Sequence, residues 1–310
     1  MRLLSNLPYP FRGLLPLLIL LAACQQEVEV DLPDPAPRLV INSLFTPDSL
    51  FTVRVYSSRP VLDTQNYAVP ENAAVTLYEE EGEVETLPYD PARRWFRSPS
   101  FKPAAGKSYR VRVTAPGFPE VTARSNVPRP VPIRDFIFKD TAGVIGEGFY
   151  HGSATFTFDD PAGQADYYAV QAIYNQNSFN FNFATKERDT IPGLNALYLF
   201  SNQPTIEFAE RGGQLALVND RVFDGKPHSF TLDFTPLDRY GLGPHEPRRI
   251  VWTFKSVSQA YYEYFRKLDG HLNNQNFNLF SGEPVMMYTN VENGYGVFAG
   301  YSQDTVSVVR

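Results

Sequence analysis

Cysteine occurs once in the 310 residues, at position 24, directly after Leu21-Ala22-Ala23. Its thiol is the one group whose type and position together predict a specific chemistry. Upstream lie Arg2 and Arg12, an apolar stretch from Leu14 to Leu21, and small residues at a cut site, which are the three parts of a secretory signal. The apolar part falls well short of the ~20 residues that a bilayer-spanning helix needs, and Pro16 interrupts it. Residues 1–23 therefore read as a cleaved signal, and Cys24 as the first residue of the mature chain.

The other candidate groups carry weaker signals. The four histidines stand at 151, 228, 245 and 271, with no pair at ligand spacing and no H-E-x-x-H. No G-x-S-x-G surrounds a serine, and once Cys24 is modified no thiol is left as a nucleophile. The reading is non-enzymatic, with no cofactor and no structural zinc. Asp159, Asp160 and Asp166 crowd around Gly163 and offer oxygen ligands to Ca²⁺, but their spacing is not that of an EF-hand. Asp-Asp-Pro-Ala-Gly also reads as an ordinary turn between strands. In Asn175–Phe183, NQNSFNFNF, the alternation sets Phe179, Phe181 and Phe183 on one face and Asn180 and Asn182 on the other. A second such segment, NNQNFNLF, spans Asn273–Phe280. The phenylalanines read as the buried face, and Asn180 and Asn182 as candidate contacts for a ligand or partner.

A generic secretory signal needs no cysteine after its cleavage point, so Leu21-Ala22-Ala23-Cys24 resembles a bacterial lipobox. That resemblance implies a diacylglyceryl group on Cys24, cleavage before it, and usually acylation of the new amine. One acyl chain holds a protein only marginally, at ~0.8 kcal/mol per buried methylene, whereas two or three make a stable anchor. The competing reading is a plain signal with a chance cysteine.

These chemical groups need a scaffold, and composition bounds it. Removing Arg2 and Arg12 from the 28 basic residues leaves 26 against 34 acids, a net charge of −8. With that sign and no basic cluster, nucleic acid is excluded as a partner. Without disulfides the fold must be held by burial, and 24 Phe, 18 Tyr and 26 Pro favour β structure. Residues 24–37, which include QQEVEVDLPDPAP, read as an acidic, proline-rich tether reaching up to roughly 40 Å at ~3.1 Å per residue.

Short alternating runs follow at Leu39–Phe45, Phe51–Tyr56, Ala74–Tyr78, Trp95–Phe96, Tyr109–Val113 and Val121–Ala123. Turn residues separate them, and the spacing predicts an immunoglobulin-like β-sandwich over 38–126. Val127-Pro128-Arg129-Pro130-Val131-Pro132 reads as a stiff connector over 127–133. A larger β-rich domain over 134–310 is expected, with strands at Ala154–Phe158, Tyr167–Tyr174, Ser178–Phe183, His228–Phe234, Ile250–Phe254, Val285–Tyr288 and Gly296–Ser302. It carries one amphipathic helix. Ser256 and Gln259 fit a capping box, and Tyr261, Tyr264, Phe265, Leu268 and Leu272 recur at helical spacing.

Taken in order, the lipobox with its acidic follow-on, PRLVINSLFTPDSLFTVRVYSSRPVLD, AAVTLYEEEGEVETL, GKSYRVRVTAPGFPEVTARSNVP, FDDPAGQADYYAV, SVSQAYYEYFRKLDGHLNN and VENGYGVFAGYS resemble the Bacteroidota outer-membrane lipoproteins of the domain-of-unknown-function family 4249. The resemblance implies a β-sandwich envelope lipoprotein bound to membrane lipid through Cys24. It also implies a place beside a TonB-dependent outer-membrane transporter, as a non-enzymatic binding or accessory subunit. Glu27, Glu29 and Asp31 resemble the acidic signal that sends such lipoproteins to the cell-surface face of the outer membrane. Two other classes stand beside this reading. An envelope-anchored glycan hydrolase would show two facing carboxylates about 5 to 10 Å apart in a cleft, and a structural or adhesive module would show a flat surface.

Overall fold

A computed structural model describes residues 36–59, 68–80, 82–145, 149–182, 185–209, 213–235, 249–274 and 286–309. Cys24 lies outside these residues. The first strands are β1 (Leu39–Phe45), β2 (Thr52–Ser57), β3 (Ala74–Glu79), β4 (Gly82–Leu87), β5 (Tyr89–Asp90), β6 (Trp95–Arg97), β7 (Ser108–Thr114) and β8 (Val121–Asn126). Their alternation does what the sequence predicts. In β7, Tyr109, Val111 and Val113 are fully buried while Arg112 is exposed.

The second half supplies β9 (Asp135–Ile145), β10 (Phe149–Asp159), β11 (Tyr167–Asn182), β12 (Glu187–Ala196), β13 (Leu199–Phe200), β14 (Ile206–Ala209), β15 (Leu215–Asn219), β16 (Pro227–Phe234) and β17 (Arg249–Val257). Helix α1 (Gln259–Asn274) and the strands β18 (Val291–Glu292) and β19 (Tyr295–Val309) close the chain. The fold is mainly β, as expected. The predicted strand at 285–288 is corrected, because residues 286–290 carry no strand. That segment leads from the helix side to β18, and its Asn290 side chain is committed to the carbonyls of Arg124 and Phe298.

Two sandwiches share one wall. In the first, the sheet β18-β8-β7-β3-β4 faces β1, β2, β6 and β5. Its core centres on Phe45, Phe51, Tyr109 and Phe298, with ring centroids 4.6 to 5.9 Å apart. In the second, β13-β16-β10-β9 faces β14, β15, β11, β17 and β19 around Trp252, Phe156, Phe158, Tyr168 and Phe254. Strand β19 belongs to both. Its first half pairs parallel with β1, Val40 opposite Tyr295 through Phe45 opposite Gly300, and its second half pairs antiparallel with β17.

One core is built mainly from residues 39–127 and the other from residues 131–308, and the first is not completed by its own half of the chain. Val291 and Phe298, from the end of the chain, lie in the first core, so residues 38–126 do not enclose it alone. The connector is also pinned at both ends. Val127 is buried in the first core and Val131 in the second, and the Val131 and Ile133 amides donate to Ser256 Oγ (3.1 Å) and Asp304 Oδ2 (3.0 Å). Pro37–Arg310 forms one compact unit.

Helix α1 covers the opposite face of the second sheet. Tyr261, Tyr262 and Phe265 pack on Ala169, Leu217, Val257, Val297 and Ala299. Small residues on the sheet let the large rings of the helix sit close. The helix cap is corrected by two positions: Ser258, not Ser256, accepts the Tyr261 amide on its Oγ (3.3 Å) and the Tyr262 amide on its carbonyl (3.1 Å). Ser256 is still inside β17, where the strand directs its hydroxyl to the connector. Among the described residues no helix is long and apolar enough to cross a membrane.

Candidate functional site

Among the described residues a cluster of carboxylates forms where three strand ends meet. The turn after β10 carries Asp160 and Asp166, and the turn after β15 carries Asp220 and Asp224. Carboxylate oxygens of Asp160, Asp166 and Asp220 all lie within 4.8 Å of one another. Asp160 and Asp220 are buried. Asp159, named with them from the sequence, is excluded by strand alternation: it points to solvent and pairs with Arg134 at 2.9 Å.

Backbone and side-chain donors hold the carboxylates in place. Tyr168 Oη donates to Asp160 Oδ1 at 2.5 Å, and the Gly225 amide to Asp160 Oδ2 at 2.9 Å. The Asp166 amide donates to Asp220 Oδ2, and the Gly163 amide to Asp224 Oδ1, both at 2.9 Å. Gln164 Nε2 reaches both Asp166 oxygens, at 3.1 and 3.2 Å. The sequence-predicted turn is therefore present, with Gly163 at φ +87°, and it is stapled to a second turn far along the chain.

Burial sets the electrostatics. It pushes the Asp166 carboxyl up to about 6, with Asp160, Asp220 and Asp224 adding to the rise and Gln164 opposing it. Asp220 is raised for the same leading reason. The Tyr168 hydroxyl is raised by burial and by its bond to Asp160, so it stays a donor. His228, stacked on Phe223 with centroids 3.7 Å apart, is held below the ordinary imidazole range by burial. Three oxygens at this spacing have the donor chemistry for a hard divalent cation such as Ca²⁺, and they also accommodate a proton on Asp166.

The proton has a thermodynamic signature. Asp166 binds it more tightly when folded than when unfolded, so stability should fall as pH rises from about 4 to about 6 and stay at the lower level above that. Asp166→Asn should flatten this slope and stabilise the protein at pH 7. Urea unfolding at pH 4.5, 5.5 and 7 measures both, and an unchanged slope in the variant would contradict the assignment.

Beside Asp166 opens a polar cleft of about 370 Å³. Its walls are the connector at Asn126–Arg129, the turn at Gln164–Tyr167, and Val257–Gln259 at the start of α1. Sequence reasoning found Asp160 and Asp166 but not Tyr168, Asp220 or Asp224. The only signal for the last two was the turn pair Asp224-Gly225, which marks a loop and not its partner. Asn180 and Asn182 lie in β11, opposite Asp189 and Glu187 of β12. Their side chains, and those of Phe179, Phe181 and Phe183, fall outside the described residues. Asn273 and Asn274 end α1, and residues 275–280 fall outside as well.

A family model described as a domain of unknown function, DUF4249, matches residues 25–307. No curated protein matches the chain.

Proposed function

The chain belongs to the DUF4249 family, and from that membership we propose that it is an outer-membrane lipoprotein, anchored by acyl chains on Cys24, that serves as a non-enzymatic binding or accessory subunit. Its partner in this reading is a TonB-dependent transporter, and its body faces the cell surface. One observation carries the proposal. The family match begins at residue 25, the position after Cys24, so the part shared with the family starts where the signal reading ends the leader. The polar cleft beside Asp166 supports the binding role, since it offers amides, carboxylate and guanidinium groups in one recess.

Replacing Cys24 by Ala removes the attachment point and leaves residues 37–310 folded. The variant should leave the membrane fraction as soluble protein or accumulate as an uncleaved precursor. Capture of the wild-type protein from gently solubilised membranes should bring an outer-membrane barrel with it. If Cys24→Ala still partitions fully with the outer membrane after a high-salt wash, the anchor assignment fails. A capture free of any barrel removes the transporter.

A further inference from the structure

We propose that the groove between α1 and the outer face of β1, β2 and β6 binds an amphiphile with an apolar body and an oxyanion head, carboxylate or phosphate. The groove arises from alternation. In β1, Leu39, Ile41, Ser43 and Phe45 point into the first core, which leaves Asn42 and Leu44 on the opposite face, with Leu44 39% exposed. Thr52 and Arg54 of β2 and Trp95 of β6 continue that face. Helix α1 runs beside it, and Tyr264, Phe265 and Leu268 form the wall of a recess of about 380 Å³. That volume lies in the usual range of small-molecule sites, roughly 300 to 1,000 Å³.

Charge selects the head group. The Arg54 guanidinium lies over the Trp95 ring, 5.3 Å from its centroid. Arg93 approaches the same ring at 5.9 Å, but its charge is taken by Asp90 at 3.1 Å. Among the described residues Arg54 has no carboxylate partner, and no acid lines the groove. A guanidinium held by an aromatic face and not by a carboxylate keeps N–H donors for the fork that fits a carboxylate or phosphate. The Trp95 indole N–H is closed off from solvent and has no acceptor among the described residues. A cationic head would meet Arg54 with like charge, and a neutral one would leave the fork unpaired.

The chain has two tryptophans, and Trp252 is fully buried in the second core, so Trp95 reports on this groove. The test uses the full chain with Cys24→Ala, which has no acyl groups of its own to compete. Decanoate, decyl phosphate, decanol and decyltrimethylammonium are titrated below their micelle concentrations, followed by tryptophan emission and by calorimetry. Saturable binding of at least one anion, with the neutral and cationic probes at least tenfold weaker, is the expected result. The stronger of the two anions identifies the head group. Arg54→Gln should weaken the anion tenfold or more with no change in Tm, and Trp95→Phe should abolish the emission change. Equal binding of all four probes, undiminished anion binding by Arg54→Gln, or no saturable heat or emission change with either anion would each overturn the proposal.

Discussion

Trp252→Ala should cost roughly 3–5 kcal/mol and lower Tm more than any other single core truncation in the second sandwich. Trp252 is fully buried at the centre of that core, with Phe136, Phe138, Phe156 and Phe234 at centroid distances of 5.6 to 6.5 Å. These rings come from β9, β10 and β16, so removing the indole leaves a cavity that three strands must close together. Trp252→Phe should behave differently. The indole N–H has no acceptor among the described residues, and a phenyl ring removes that buried donor while keeping most of the contact area. Its cost should stay below about 1.5 kcal/mol. Urea unfolding of both variants decides, and equal losses would mean that shape alone governs the site.

Gly296→Ala is the second large effect, and it acts on the joint between the sandwiches. Gly296 has φ +103°, and a Cβ there would lie 2.0 Å from the Ile41 carbonyl oxygen of the paired strand β1. The backbone conformation alone costs an L-residue about 1–2 kcal/mol. Overpacking against a backbone that cannot rotate away adds about 1–3 kcal/mol. Gly117 provides the control, since its φ is +82° with nothing within 4 Å of a Cβ. Gly117→Ala should therefore lose only the conformational part. If the two variants prove equally stable, the close approach of β1 and β19 is not a constraint on the fold.

The sequence made the strands legible wherever one face is buried and the other wet. Leu39–Phe45 is bounded as predicted, and Tyr109, Val111 and Val113 face the core as their alternation says. Partners were less legible than elements. Nothing local in LVINSLF indicates that it pairs parallel with the last strand, because that register is fixed by burying Phe45 against Phe298 across almost the whole chain. The same holds for the acidic cluster. Asp160 and Asp166 are neighbours in sequence, but Asp220 arrives through the pairing of β15 with β11. The groove beside α1 was invisible for a related reason. Arg54 and Trp95 look like ordinary outward residues until β2 and β6 pair and bring them together. Even the helix cap was misplaced, because Ser256 and Ser258 both suit a cap and only the length of β17 chooses between them.

Strand β19 also sets an order of events for a chain that emerges from its amino end. Residues 38–126 carry enough apolar side chains to collapse early, yet Phe298 and the parallel neighbour of β1 arrive only with the final strand. Until then one edge of β1 offers unpaired amides and carbonyls beside a half-filled core, the arrangement most exposed to wrong pairing. Both sandwiches wait for that one strand, whose residues 295–300 pair with β1 and residues 301–309 with β17. A chaperone that shields the β1 edge until the last strand is made would protect it from wrong pairing.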